Sequence, residues 1–263
     1  MTKQEVCKAL LQLAEANTAE VSVLWQAAGE EEPSFAWRAA APMVSASVIK
    51  VPILLAALQQ VQQGNIELST PLQVEEKEIL SDSQVFASGP RAATLEELLT
   101  WMIILSDNTS TNVLIEWLGM ARVNHFCAAH GLAGTSLQRK MLDFAAIEAG
   151  RNNYTTAQDM RAVFFALLEN RILTPPLCAL ALHILQKQRD TKLLPRYIWE
   201  DAVFAHKSGG LDYLSHDAGL VQAFGKWYYL GVFVQKAPRI EGDEAFAGQV
   251  SRLVFNYYAA LGR

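Results

Sequence analysis

Apolar positions recur every three to four residues at the start of the chain. Val6, Leu10, Leu11 and Leu13 share one side of a segment over about 3–16, which predicts an amphipathic helix. The period then shortens, and Val21 to Trp25 and Phe35 to Arg38 predict two strands. Gly29 to Pro33 turns between them, with the acidic run Glu30-Glu31-Glu32 in water. After Pro42 the helical period returns. Residues about 47–63 carry Val51, Leu54, Leu55, Leu58 and Val61 and stop at Gly64. Thr94-Leu95-Glu96-Glu97 is a capping box that opens an apolar helix to Leu105. Further helices are predicted from Thr109 to Leu118, from Met120 to His130, from Thr156 through Leu168, and from Pro175-Pro176 to about Gln188.

Strand-like segments come back late: Val203 to Lys207, Gly219 to Gln222 and Trp227 to Val234, with Gly225-Lys226 in a hairpin turn. A last amphipathic helix is expected over about 243–261. Strands at both ends around a helical middle predict a mixed α/β (α+β) fold. One sheet takes two strands from the first part of the chain and three from the last. The sheet lobe would comprise 1–43 and 198–263, the inserted all-helical lobe 44–197, within one domain. A site at the seam between them is the natural expectation.

Composition narrows the function. The chain has 263 residues, of which 51% are hydrophobic, enough for a well-buried core. The net charge is -5 with the signs interspersed, so no nucleic-acid or anionic-membrane surface is expected. No stretch is long and apolar enough to span a bilayer. Glu5, Lys8, Glu15 and Glu20 break up the N-terminal segment, which reads as a helix rather than a secretion signal and gives the expectation of a cytoplasmic protein. Cys7, Cys127 and Cys178 are scattered and suggest neither a disulfide framework nor a zinc site. His125, His130, His183 and His206 form no metal-binding spacing, and neither metal nor cofactor is expected.

Three short strings carry chemistry. In Ser47-Val48-Ile49-Lys50 the serine and the lysine are three residues apart and share a helix face. Free N–H groups and a positive dipole at a helix start, with burial, favour a neutral Lys50 that can take a proton from the hydroxyl. In Ser106-Asp107-Asn108, Ser106 can relay a proton to a leaving group, and Asn108 can donate to a substrate carbonyl and hold Lys50. Asp107 is expected to bond loop backbone. In Lys207-Ser208-Gly209-Gly210, at the end of a strand, Lys207 and Ser208 can grip a carboxylate, while the glycines admit a close edge-on approach. Alone, each string also reads as an ordinary helix start, turn and N-cap, or strand boundary.

Together and in this order, the strings resemble those of the penicillin-recognising serine hydrolases, the class A β-lactamases and penicillin-binding proteins. The resemblance extends to the motif separations, the helical middle and the split sheet. It implies a β-lactamase/transpeptidase-like fold with a five-stranded antiparallel sheet. It implies Ser47 as nucleophile, Lys50 as its base partner, and Ser106 and Asn108 as second-motif groups. Lys207 and Ser208 would bind the carboxylate of a small substrate, a β-lactam or a carboxylated ester or peptide. The N–H groups of Ser47 and Gly210 would form the oxyanion hole.

Two departures stand out. Class A enzymes carry a glutamate in a loop after the second motif, where it activates the water that frees the acyl-enzyme. With Arg139 and Thr155-Thr156 matching the loop ends, Met141 falls at the glutamate position and Ala145 at the following asparagine. Acylation with slow release is therefore expected, unless Asp143 or, more remotely, Glu148 substitutes. His216 stands nine residues beyond Lys207, where class A enzymes often place a carboxylate-binding arginine. It reads either as a pH-dependent anion binder or as a partner of Asp217. A covalent penicillin binder or sensor is the alternative function.

Overall fold

The computed structural model describes residues 1–240 and 242–262. Helix α1 (Lys3–Ala16) is opened by a capping box between Thr2 and Glu5 and leads into strands β1 (Glu20–Ala27) and β2 (Phe35–Trp37). A two-residue strand β3 (Met43–Val44) and a tight 3-10 turn over Ala46–Ile49 precede α2 (Lys50–Gln62). Short strands β4 (Pro71–Val74) and β5 (Arg91–Thr94) pair with each other. Helices α3 (Leu95–Ile104), α4 (Asn108–Leu118) and α5 (Met120–Ala129) follow. The loop beyond them holds one short helix, α6 (Phe144–Glu148), and strand β6 (Tyr154–Thr155). Helices α7 (Ala157–Leu168) and α8 (Pro175–Gln186) lead to strands β7 (Val203–Leu211), β8 (Leu214–Ala223) and β9 (Lys226–Gln235), and α9 (Glu244–Leu261) closes the chain.

The five long strands form one antiparallel sheet in the order β2-β1-β9-β8-β7. Both faces are covered, so central strands are apolar at successive positions rather than at alternate ones. One face packs against the helical segment through Ala205, Ala218, Leu220, Tyr229 and Phe233. The other packs against α1 and α9 through Val21, Val23, Trp25, Leu230 and Val232. Tyr229 pins sheet to helices by donating its hydroxyl hydrogen to the carbonyl of Ala157 at 3.0 Å. The expected mixed fold with five strands is therefore present, and the capping box at Thr94 has both its hydrogen bonds.

The late strands run further than their residue types suggest. Ser208, Gly209 and Gly210 lie inside β7, paired in register with Asp217, His216 and Ser215 of β8, rather than at a strand end. Phe224 and Gly225, both at positive φ, make the turn between β8 and β9. The position of β7 matters most. It is one edge of the sheet, and its Gly209 lies against the 3-10 turn that carries Ser47.

Candidate active site

The 3-10 turn holds Ser47 rather than letting it cap the helix. Ala46 is forced to φ +42°, a left-handed value unusual for alanine, and the N–H of Val48 donates to the carbonyl of Ser45 at 3.0 Å. The N–H of Ser45 donates in turn to the carbonyl of Asn153, and β3 pairs with β6. The turn is thus tied to the far end of the 139–155 loop. Gly209 closes it from the other side. A β-carbon at Gly209 would stand 2.8 Å from the Ser47 nitrogen and 3.1 Å from that of Val48. That glycine makes room for the backbone of Ser47 itself. Only Gly210, whose added β-carbon would meet nothing nearer than the Leu214 carbonyl at 3.8 Å, leaves the open edge that the sequence suggested for both.

Lys50 begins α2 and is wholly buried. Its Nζ donates to the Ser106 carbonyl at 2.7 Å, to Ser106 Oγ at 3.0 Å and to Asn108 Oδ1 at 2.8 Å. Ser106 can offer both oxygens because it sits at φ +54° between α3 and α4. Burial drives the Lys50 pKa well below the ordinary lysine value. The nearby charge of Lys207 acts the same way, and Asp107 and Asp82 oppose it. A neutral Lys50 keeps a lone pair, and the Ser106 hydroxyl can then donate to it. Ser47 is half-buried and not among the hydrogen-bond partners of Lys50.

Asp107 caps α4, accepting from the Ser110 N–H at 2.6 Å, and its other oxygen accepts from Ser83 Oγ at 2.5 Å. Lys207 is fully buried in β7 and donates to the Ser208 carbonyl at 2.7 Å. Burial lowers its pKa to about 8, with Asp217 and Asp190 pulling the other way.

His216 does not join these groups. It is completely buried, its Nδ1 accepts from the Val234 N–H at 3.0 Å, and its Nε2 donates to the Val44 carbonyl at 2.8 Å. Both ring nitrogens are used, and burial pushes its pKa down to about 4, so the ring is neutral and offers an anion nothing. The expectation of a pH-dependent anion binder is corrected, and so is the alternative of a partner for Asp217. Asp217 instead holds His206, whose Nδ1 lies 2.8 and 2.9 Å from its two carboxylate oxygens.

Ser47, Asn108 and Gly210 line one small cavity of about 110 Å³, whose remaining wall includes Met141, Leu142, Phe144 and Ile147 from the loop. Met141 is fixed by α4: its N–H donates to Asn112 Oδ1 at 2.7 Å and its carbonyl accepts from Asn112 Nδ2 at 3.1 Å. Asn153 holds the loop base, accepting from the N–H groups of Gln138 and Arg139. Among the described residues, no Asp or Glu lines the cavity. Asp143 is occupied as the cap of α6, accepting from the Ala146 N–H at 3.0 Å, and Glu148 is exposed on the outside of that helix.

One site residue escaped the sequence reading. Asn108 Nδ2 donates to Asp82 Oδ2 at 2.7 Å, from a loop whose course the sequence did not predict. The loop is positioned by α4, through the Leu80 N–H donating to Thr109 Oγ1 at 2.9 Å and by the Ser83 to Asp107 bond.

The chain is similar to known proteins along nearly all its length. The sequence model described as the beta-lactamase enzyme family matches residues 4–258. The crystal structure of a beta-lactamase from Sphaerobacter thermophilus superposes with a TM-score of 0.88 at 26% identity, covering 99% of each chain. A mutant of PBP-A, solved as an acyl-enzyme complex with penicillin G, superposes at 0.85 with 24% identity, covering 98% of this chain and 96% of that one. Beta-lactamase VEB-1 of Pseudomonas aeruginosa is 21% identical over 235 residues, 81% of this chain and 77% of that protein.

Proposed function

The chain belongs to the beta-lactamase enzyme family, and from that premise we propose that it is a serine hydrolase working through an acyl-enzyme on Ser47, with a β-lactam amide or a carboxylated ester or peptide as substrate. The observation that carries this reading is the buried Lys50, hydrogen-bonded to Ser106 and Asn108 on the helix whose preceding turn presents Ser47. Burial favours the neutral amine, which is the form a general base needs.

In the first step Lys50 Nζ takes the Ser47 proton while Oγ bonds to the substrate carbonyl carbon. Contact between Ser47 and Lys50 is made as substrate binds, since catalytic hydrogen bonds commonly tighten only in the complex. The N–H groups of Ser47 and Gly210 stabilise the oxyanion. Ser106 then gives its hydroxyl proton to the leaving nitrogen or oxygen and is reprotonated by the Lys50 ammonium as the scissile bond breaks. Lys207 and Ser208 hold the substrate carboxylate. The product of this half-reaction is an ester of Ser47.

Release of that ester needs a base to activate water, and the loop side of the cavity offers Met141 in its place. A thioether accepts no proton at neutral pH. We therefore read the enzyme as one that acylates readily and deacylates slowly. The same observation favours a second reading, a penicillin-binding or sensor protein that keeps its adduct.

Intact-mass measurement with benzylpenicillin tests both. An adduct that forms on the wild type and is absent from Ser47→Ala is the expected result. Its persistence separates the readings: turnover with free product supports the hydrolase, and a lasting adduct supports the binder. No adduct on the wild type overturns the acyl-enzyme mechanism for β-lactams.

A further inference from the structure

We propose that His216 and Gln235 are positioning residues of this site: together they hold both backbone groups of Val44, and through it the 3-10 turn that presents Ser47. The inference rests on the acyl-enzyme reading above and extends it to two side chains that do not line the cavity. Strand β3 is two residues long and pairs on one side with β6, Met43 with Thr155 and Val44 with Tyr154. The Ser45 N–H points the same way, to the Asn153 carbonyl at 2.8 Å. Backbone groups alternate in direction along a strand, so the N–H and the carbonyl of Val44 face away from β6. Among the described residues β3 and β6 form a two-stranded sheet, so no third strand meets these groups. Two side chains of the large sheet meet them instead. His216 Nε2, from β8, donates to the Val44 carbonyl at 2.8 Å, and the Val44 N–H donates to Gln235 Oε1, from β9, at 3.3 Å.

Both side chains are themselves fixed. The Val234 N–H donates to His216 Nδ1 at 3.0 Å, which leaves the ring hydrogen on Nε2, the nitrogen that faces Val44. The ring is completely buried and lies against Phe233, with ring centroids 4.9 Å apart. Gln235 Nε2 donates to Glu20 Oε2 at 2.9 Å, which turns Oε1 toward Val44. The turn needs such holding. Ala46, two residues beyond Val44, sits at φ +42°, and a non-glycine residue keeps a left-handed backbone only where its surroundings over-determine it. Gly209 bounds the turn at Ser47, where an added β-carbon would stand 2.8 Å from the serine nitrogen. Ahead of Ala46 the anchors are Val44 and Ser45. Losing the bond to His216 or Gln235 frees one group of Val44, lets Ala46 relax toward negative φ, and shifts Ser47 relative to Lys50.

Acylation by benzylpenicillin, followed by quenched intact mass over a range of concentrations, separates a limiting rate from a half-saturating concentration. His216→Leu keeps apolar bulk beside Phe233 and cannot donate to Val44. It should lower the limiting rate at least about tenfold, toward the roughly hundredfold that a misplacement of about 1 Å costs. The half-saturating concentration should stay within about threefold of the wild type, because Lys207 and Ser208 still hold the carboxylate. His216→Gln, which restores an N–H toward the Val44 carbonyl, should recover part of the lost rate, and Gln235→Leu should lower the limiting rate severalfold. Leu10→Ala, in the core beneath α1 on the other face of the sheet, controls for lost stability alone: its melting temperature should drop while its limiting rate stays within about twofold of the wild type. A His216→Leu protein that acylates at the wild-type limiting rate overturns the positioning role and leaves the acyl-enzyme reading standing. So does one whose loss lies in the half-saturating concentration or is matched by Leu10→Ala. Should His216→Leu fail to fold, Gln235→Leu decides, and an unchanged limiting rate there overturns the inference. Absence of any adduct on the wild type overturns the acyl-enzyme reading and the positioning role with it.

Discussion

Gly209 and Ser47 are packed backbone to backbone: a β-carbon on the glycine would lie 2.8 Å from the serine nitrogen. Strand β7 therefore sets the position of Ser47 as well as carrying Lys207. Backbone cannot rotate aside as a flexible side chain does, so Gly209→Ala must push the 46–49 turn away from the sheet edge. Displacing a reacting group by about 1 Å commonly costs about a hundredfold in rate. The acylation rate of Gly209→Ala should fall by about that factor, with a loss of roughly 1–3 kcal/mol in stability from overpacking. Gly210→Ala, where space is open, should retain most of its stability. Adduct kinetics and thermal melts on the two variants check this, and equal stability losses would show the packing argument to be wrong.

Lys207 is held at a cost to the fold. Burial lowers its pKa from 10.5 to about 8, so above pH 8 the unfolded chain binds a proton that the folded chain has released. Stability therefore rises with pH between about 8 and 10.5, and below 8 the penalty of burying the ammonium is fully expressed. Lys207→Met should be more stable than the wild type at pH 7 by roughly 1–3 kcal/mol. Denaturant titrations should show this gap closing as the pH approaches 10.5. The same variant should lose capture of the substrate carboxylate, so acylation should weaken as stability improves. A destabilised Lys207→Met at pH 7 would mean that the attraction of the Asp217 and Asp190 charges outweighs the burial.

Local signals made much of this fold legible. Thr94 with Glu97, Thr156 with Asp159 and Pro175 mark helix starts by chemistry that needs no tertiary partner, and the observed helices begin there. The late strands were cut short in the sequence because Ser208, Gly209, Gly210, Ser215 and His216 resemble turn residues. Pairing in the sheet overrides that preference. Side-chain alternation, used strictly, would have separated His216 from Asp217, since neighbours in a strand face opposite ways. Asp217 finds His206 diagonally across the ladder, a contact set by register that spacing along one strand cannot reveal. Asp82 was hidden for a different reason. Its loop is shaped by bonds to Thr109 and Asp107, more than twenty residues away.

His216 makes stability fall in mild acid. Its pKa is depressed by burial from 6.5 to about 4, so between these values the unfolded chain binds a proton that the folded chain refuses. The contribution is complete above pH 6.5 and is lost as the pH drops toward 4, by up to roughly 3 kcal/mol. His216→Asn offers an amide in place of the ring and does not titrate. Its stability at pH 7 should be lower than that of the wild type, because the bonds to Val44 and Val234 are imperfectly replaced. Between pH 6.5 and 4.5 the variant should lose less than the wild type does. Parallel pH dependences in urea titrations would remove His216 from the account of acid sensitivity.

Met141→Glu would place a carboxylate in the cavity wall beside Ser47, on a backbone already fixed by both hydrogen bonds to Asn112. The side chain of Met141 is 7% exposed, so burial should raise the new carboxyl's pKa toward neutrality, where a general base is most effective. Positioned general-base catalysis contributes about 10²–10⁴-fold where the geometry is right. Even an imperfectly placed glutamate should shorten the lifetime of the penicilloyl adduct at least about tenfold, leaving its rate of formation within a few-fold of the wild type. Time-resolved intact mass reads the two rates separately. An adduct that forms normally and persists unchanged in Met141→Glu would show that release is limited by something other than the missing carboxylate, such as the apolar wall of Leu142, Phe144 and Ile147 keeping water out. Phe144→Ser, which opens that wall at its most exposed member, would then be the variant that hastens release.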